Sequence, residues 1–321
     1  MSELHTKDIA EILENVREFS NRLSSLFVAR QQVVKDMIIA AIAQEPLLFI
    51  GPPGTGKSEL VTQFKKMLDL DETLYFEYTL TKFTEPSEIL GPLDLKKMKS
   101  GEFYRRTYGK LPEASLVFLD EVFKSNSAIL NTLLTVLNEK KFYQDGRPTS
   151  VPLKILFAAT NEIPSISELD ALKDRFTLKV KINKVPEEQW DQLLQKGLQN
   201  ETTRYFNRVL NNDQIVSLAD FDALYSHLQR SMQEFAETGI DPYFSKSLYF
   251  EFKRIIKTIL HDFEVSISDR KLIKLYKLVR AKALFERGGG VEREDFRILM
   301  HLGNNSDEIE YLQQRLFEIL V

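Results

Sequence analysis

The chain has 321 residues, a formal net charge of −4 and 43% hydrophobic residues, which fits about two domains at ~150 residues each with ample material for a core. So small a net charge gives no general electrostatic footprint for nucleic acid or a lipid surface. The absence of cysteine excludes disulfides and thiolate metal sites and fits an intracellular setting.

Residues 1–12 are polar and carry charges throughout, so they read as no signal peptide. No apolar run approaches the ~18 residues of a membrane-spanning helix, and a soluble, cytoplasmic protein is expected. The first half alternates short apolar runs with helical patterns, which predicts a parallel α/β sheet. Five strands are expected, at residues 47–50, 74–78, 116–119, 155–160 and 177–182. The third and fourth are nearly continuous apolar runs, as in strands covered on both faces. The fifth alternates Leu178, Val180 and Ile182 with Lys179 and Lys181, which predicts one wet face. Between the third and fourth, Leu130, Leu133, Leu134 and Leu137 recur at helical spacing, with Ser125 as the N-cap.

Two segments read as insertions. Residues 101–110 are expected to form a glycine-bounded β-hairpin, and residues 141–148, turning at Asp145-Gly146, a second. From Glu187 onward the pattern is helical without a strand. It breaks at Asn211-Asn212 and at residues 239–242, 288–290 and 303–305, and residues 271–279 form its clearest amphipathic stretch. The expected division is an α/β nucleotide-binding domain over 1–186 and an all-helical domain over 187–321. The four histidines, His5, His227, His261 and His301, have no metal-ligand spacing.

The chemistry begins at Gly51-Pro52-Pro53-Gly54-Thr55-Gly56-Lys57-Ser58, which fits the phosphate-loop pattern G-x-x-x-x-G-K-[ST] at every fixed position. An apolar strand precedes it and a helix-competent segment follows, the context the pattern needs. The glycines let backbone N–H groups turn inward on phosphate oxygens, and the helix N-terminus adds partial positive charge. Lys57 then reaches the β- and γ-phosphates, and the Ser58 hydroxyl ligates Mg²⁺. Further on, the apolar run 116–119 ends in Asp120 and Glu121. The first carboxylate suits Mg²⁺, and the second suits polarising an attacking water. The next strand ends in Asn161, which either positions that water at the carboxyl edge of the sheet or is an ordinary turn residue.

In this order the three segments resemble the Walker A, Walker B and sensor 1 series of AAA+ ATPases. The chain is most similar to the MoxR family and, through Phe83-Thr84-Glu85-Pro86-Ser87-Glu88-Ile89-Leu90-Gly91-Pro92 and Leu111-Pro112-Glu113-Ala114, to its RavA-like branch. The resemblance runs from about Phe27 to about Val291. It implies an AAA+ P-loop parallel sheet flanked by helices and followed by a smaller helical lid. It also implies a homo-hexameric ring and a protein partner with a von Willebrand factor A domain. Arg175, in Asp174-Arg175-Phe176, falls where the family has its arginine finger. A local pair with Asp174 explains it equally well. Arg270, in Ser268-Asp269-Arg270, resembles sensor 2 and would contact the nucleotide from the lid. A helix-opening serine with adjacent charges is the plainer reading. Ala29 stands where the family often has glycine, before the adenine-contacting helix.

The function expected is an ATPase that couples Mg²⁺–ATP hydrolysis to remodelling or maturation of a protein partner. The alternative is a nucleic-acid motor gripping its substrate with the aromatic and basic residues of 96–110. A scaffold that binds ATP without turning it over is a third reading, disfavoured by the intact Glu121 and Arg175.

Overall fold

The computed structural model describes residues 8–205 and 215–320. The helices are α1 (Ile9–Ser25), α2 (Gln31–Ala43), α3 (Lys57–Met67), α4 (Pro86–Leu90), α5 (Leu95–Lys99), α6 (Ser127–Glu139) and α7 (Asp170–Arg175). They continue with α8 (Trp190–Tyr205), α9 (Leu218–Thr238), α10 (Lys246–His261), α11 (Asp269–Arg287) and α12 (Ser306–Leu320). The strands are β1 (Leu47–Ile50), β2 (Leu68–Asp69), β3 (Tyr75–Thr79), β4 (Leu116–Asp120), β5 (Lys141–Gln144), β6 (Arg147–Ser150), β7 (Ile155–Thr160), β8 (Leu178–Lys181) and β9 (Val216–Ser217).

Five strands form one sheet in the order β3-β4-β7-β1-β8, every neighbouring pair parallel. Successive side chains of a strand enter opposite layers. Leu47, Phe49, Phe118, Phe157 and Val180 join one core with α1, α2, α3, α9 and α11, while Leu48, Ile50, Val117, Leu119 and Ala158 join the other with α6 and α7. Sheltered on both faces, the central strands are the apolar runs seen in the sequence. Helices α9 to α12 form a C-terminal helical lid whose aromatic centre stacks Phe244 on Tyr276 and packs Phe252 and Phe296 against them at steeper angles.

Several local expectations are corrected. Asn126, not Ser125, caps α6, accepting from the N–H groups of Ala128 and Ile129 while its amide donates to the Thr84 carbonyl at 2.7 Å. The lid region does contain a strand, since β9 pairs with β2. Lys179, expected on a wet face, is fully buried, because the start of α12 covers that side of β8, with Ile309 in the core there and Glu310 paired to Lys181. The hairpin expected at 101–110 does not form. Its pairing is displaced, with Asp94 N bonding Tyr104 O at 2.7 Å and Arg106 N bonding Pro92 O at 2.9 Å, and helix α5 forms the connection. Asp94 drives this shift by capping α5 through the N–H groups of Lys96 and Lys97. The second hairpin forms as β5–β6, with Asp145 and Gly146 both at positive φ, the two-residue turn that matches strand twist. The break expected at Asn211-Asn212 lies outside the described residues, whereas Gly239 and Gly288 end α9 and α11 in left-handed conformations.

Candidate active site

Four sequence-predicted groups meet at the carboxyl edge of the sheet because β1, β4 and β7 run parallel and end side by side. The loop leaving β1 curls through Gly54 at φ 78° and Gly56 at φ 84° before α3 begins at Lys57. Both values are accessible to glycine at no steric cost. Gly51 has a different reason, since a Cβ there would sit 2.2 Å from the Ile182 carbonyl oxygen. Close approach of the chain after β8 therefore requires that glycine.

Lys57 is buried, and its Nζ donates to the carbonyls of Gly51 at 2.6 Å and Pro52 at 3.1 Å and to Asn161 Oδ1 at 3.3 Å. Burial lowers its pKa, with the charges of Asp120 and Glu121 opposing that shift. Asn161 Nδ2 donates to Glu121 Oε1 at 2.8 Å, so one amide bridges Lys57 and Glu121. Asp120 Oδ1 accepts from the Glu121 N–H at 2.8 Å. Glu121 has φ 53°, a conformation that costs a non-glycine residue of order 1 kcal/mol and that clusters at functional sites. Ser58 lies in the first turn of α3, beside the inward-facing loop.

These residues fit Mg²⁺ and a nucleoside triphosphate. Open space lies beside Gly54 and Gly56, where a Cβ would meet nothing within 4 Å. The Lys57 ammonium and the Ser58 hydroxyl open α3, and the Asp120 carboxylate ends β4 at the same edge of the sheet. Among the described residues no cluster of three or more histidine, cysteine or acidic side chains could hold a metal by itself.

Two participants were not singled out by the sequence reading. Arg30 donates to the carbonyls of Thr55 at 3.2 Å and Asn183 at 2.8 Å, tying the phosphate loop to the segment after β8. Lys124 pairs with Glu121 at 3.0 Å. Ala29 adopts φ 55°, a conformation that glycine would take at no steric cost.

The other two predicted residues lie at the opposite edge. Arg175 ends α7, just before β8 begins, and Leu178 pairs with Leu47 at the start of β1. Its guanidinium contacts Asp174 at 3.2 Å, but its Nε is buried without a partner. Burial lowers its pKa, the neighbouring charge of Arg270 lowers it further, and Asp174 opposes both. Arg270 stands in the first turn of α11, donating to Asn138 Oδ1 at 3.3 Å. The start of α11 meets the end of α7 there, where Ser268 Oγ donates to Asp174 Oδ2 at 3.4 Å, and among the described residues neither arginine bonds to the phosphate loop.

The MoxR domain of the MoxR-vWA-beta-propeller ternary systems matches residues 14–220, and an AAA lid domain matches residues 249–316. Two uncharacterized proteins of Methanocaldococcus jannaschii are similar over most of the chain. MJ0079 is 30% identical across 97% of this chain and 76% of its own length, and MJ0812 is 31% identical across 96% and 76%. The chaperone protein ClpB of Prochlorococcus marinus is 25% identical over 54% of this chain and 22% of its own. A crystal structure of a proposed ATPase from Cytophaga hutchinsonii superposes with a TM-score of 0.70 at 18% identity, covering 97% of this chain and 94% of that one. At that identity the likeness concerns the fold alone. Among the described residues no helix is long and apolar enough to cross a membrane. Because the matched MoxR domain spans more than half of a chain that also carries the AAA lid, the protein belongs to the MoxR family of AAA+ ATPases.

Proposed function

We propose that the protein is a cytoplasmic, ring-forming ATP hydrolase that remodels or matures a protein client carrying a von Willebrand factor A domain. The observation that carries the reading is the chain Lys57–Asn161–Glu121 at one sheet edge, combined with the segments of Arg175 and Arg270 joined through Asp174 and Ser268 at the other. In the proposed roles, residues 51–58 cradle the phosphates, and Lys57 neutralises them. Ser58 and Asp120 would hold Mg²⁺, which when bound offsets charge on the phosphoryl group. Glu121 accepts a proton from the attacking water, and Asn161 orients both. Arg175 and Arg270 serve the neighbouring copy, where a cation accelerates phosphoryl transfer by roughly 10³–10⁵ in systems that use this device. A hexamer, the RavA-like branch and the division between 186 and 187 belong to the same proposal. The branch rests on residues 83–92 and 111–114, and the client class on the systems for which the matched domain is described.

A client-facing surface is supported by Phe83, Leu95, Phe103, Tyr108 and Tyr143, all exposed around α5 and the β5–β6 hairpin. Phe103 and the hairpin are joined by the Phe103 N–H to Asp145 Oδ1 bond at 3.0 Å. The nucleic-acid alternative is weakened because four of the basic groups there have partners within the chain, Lys110 through the Glu88 carbonyl at 3.0 Å. Arg105 donates to the Gly91 carbonyl at 2.9 Å, Arg106 pairs with Asp94 at 3.3 Å, and Lys97 sits 3.7 Å over the Tyr104 ring. The deciding experiment purifies Glu121→Gln protein with ATP and identifies what it retains. A von Willebrand factor A protein held by Glu121→Gln and absent from Lys57→Ala supports the reading, and retention of nucleic acid instead would replace it with the alternative.

A further inference from the structure

Helix α8 is amphipathic, and among the described residues nothing covers its apolar side. Trp190, Leu193, Leu194 and Leu198 recur at the spacing of one helical face, yet they are 51%, 41%, 63% and 60% exposed. Lys196 ties the helix to the Ser25 carbonyl at the end of α1, and the Trp190 indole donates to the Val185 carbonyl at 3.3 Å. Contiguous apolar surface of this kind marks an interaction site.

A second apolar surface lies in the lid. A groove of about 860 Å³ between α9, α10 and α11 is floored by Met232, Phe235 and Phe252, with Leu272 and Ile273 on its lip. Ile273 is 72% exposed. Its charged lining is mostly basic. Lys274 and Lys277 share Glu45, at 2.8 and 2.5 Å, and Arg230, Lys253 and Arg270 add three further positive charges. The opening of α8 is acidic, with Glu187, Glu188 and Asp191 flanking Trp190. Apolar character and charge are both complementary.

The two surfaces sit at opposite edges of one molecule. Asn183, shortly before α8, is joined through Arg30 to the phosphate loop. Glu45, in the groove, follows α2, whose 13 residues start at that loop and span about 20 Å at 1.5 Å per residue. One chain therefore does not bring them together in this fold, whereas two copies joined head to tail would. A heterologous contact of that kind makes a ring when its rotation closes. It also carries Arg270, on the groove wall, toward the phosphate-loop edge of the next copy.

We propose that α8 of one copy seats its Trp190–Leu198 face in the α9–α11 groove of the next. This rests on the self-assembly part of the function proposed above and names the surfaces that perform it. The cysteine-free chain makes a direct test simple. Leu194→Cys protein and Ile273→Cys protein, each changed at an exposed position, are mixed with ATP and treated with a short thiol cross-linker. The expected result is a cross-linked dimer in the mixture and none in either protein alone. Leu194→Asp/Leu198→Asp protein should keep its circular dichroism spectrum and melting temperature. Its self-association, by sedimentation velocity, should weaken roughly tenfold or more, as expected for charge forced into an apolar groove. If that variant assembles like the unmodified protein, the inference fails while the ring survives. If it assembles normally but loses a client, α8 is a client site and the inference also fails. Unmodified protein that stays monomeric with and without nucleotide at every concentration overturns both.

Discussion

Asn161 Nδ2 lies 2.8 Å from Glu121 Oε1, joining the residue after β7 to the residue after β4, and Asn161 Oδ1 accepts from Lys57 at 3.3 Å. One neutral side chain thereby fixes the positions of the carboxylate and the ammonium that the proposed chemistry needs.

Removing different members of this chain should separate binding from turnover. Glu121→Gln should bind ATP normally and hydrolyse it at least ~10²-fold more slowly, the usual worth of a positioned base. Asn161→Ala should also bind, with turnover down by roughly 10²-fold. Lys57→Ala should lose binding itself. Nucleotide titration and phosphate release measure the two effects, and unaltered hydrolysis by Glu121→Gln would remove Glu121 as the base.

Arg175, with a buried Nε that finds no acceptor among the described residues, should act across a subunit boundary. ATPase activity per subunit should rise with protein concentration. Arg175→Ala and Lys57→Ala proteins, each nearly inactive alone, should regain activity when mixed, because some interfaces then pair an intact loop with an intact arginine. Absence of rescue in rings shown to be mixed would leave only the Asp174 pair as its role.

Nucleic acid should not stimulate the ATPase at about 150 mM salt, near physiological ionic strength. Stimulation that disappears in Arg105→Glu/Arg106→Glu protein would restore the nucleic-acid alternative, and such binding would weaken steeply with added salt.

Lys179 is fully buried, and its Nζ has no hydrogen-bond partner among the described residues. Burial drives its pKa well below the ordinary lysine value, and the nearby charge of Lys271 adds to that. The unfolded chain thus binds a proton there that the folded chain does not, and folding stability rises with pH through this range. Lys179→Met should stabilise the protein by roughly 1–3 kcal/mol near neutral pH, the scale of an unsatisfied buried polar group. The gain should shrink toward pH ~10, where the unfolded lysine also loses its proton. Thermal melts across pH would show it, and a destabilised Lys179→Met protein would contradict it.

His301 presents the opposite sign. Burial lowers its pKa, but the charge of Asp36, 3.3 Å from Nε2, and its hydrogen bonds outweigh burial, so the net shift is upward. Its contribution is complete below the unfolded histidine value of about 6.5 and is lost as pH rises through the higher folded value. The melting-temperature deficit of His301→Gln should therefore be largest near pH ~6 and smaller near pH ~9. A deficit that grows with pH would show that the imidazole is held neutral.

The sequence by itself determined the local elements whose chemistry is written in short spans. The loop 51–58 needs particular residues at fixed spacing, and the apolar runs 47–50, 116–119 and 155–160 need shelter on both faces, so each could be read without knowing its neighbours. The β5–β6 hairpin was legible for the same reason, through Asp145-Gly146. Tertiary structure alone decided what depends on distant packing. Lys179 looks like a solvent-facing strand residue until the start of α12 covers it. Residues 101–110 look like a hairpin until Asp94 caps α5 and moves the pairing to 92–94 and 104–106. The bridge from Lys57 through Asn161 to Glu121, and the contact of the Arg175 segment with the Arg270 segment, join residues far apart in the chain. Only the parallel order of the sheet and the docking of the lid fix those distances, because no periodicity in a single segment records which elements will lie beside it.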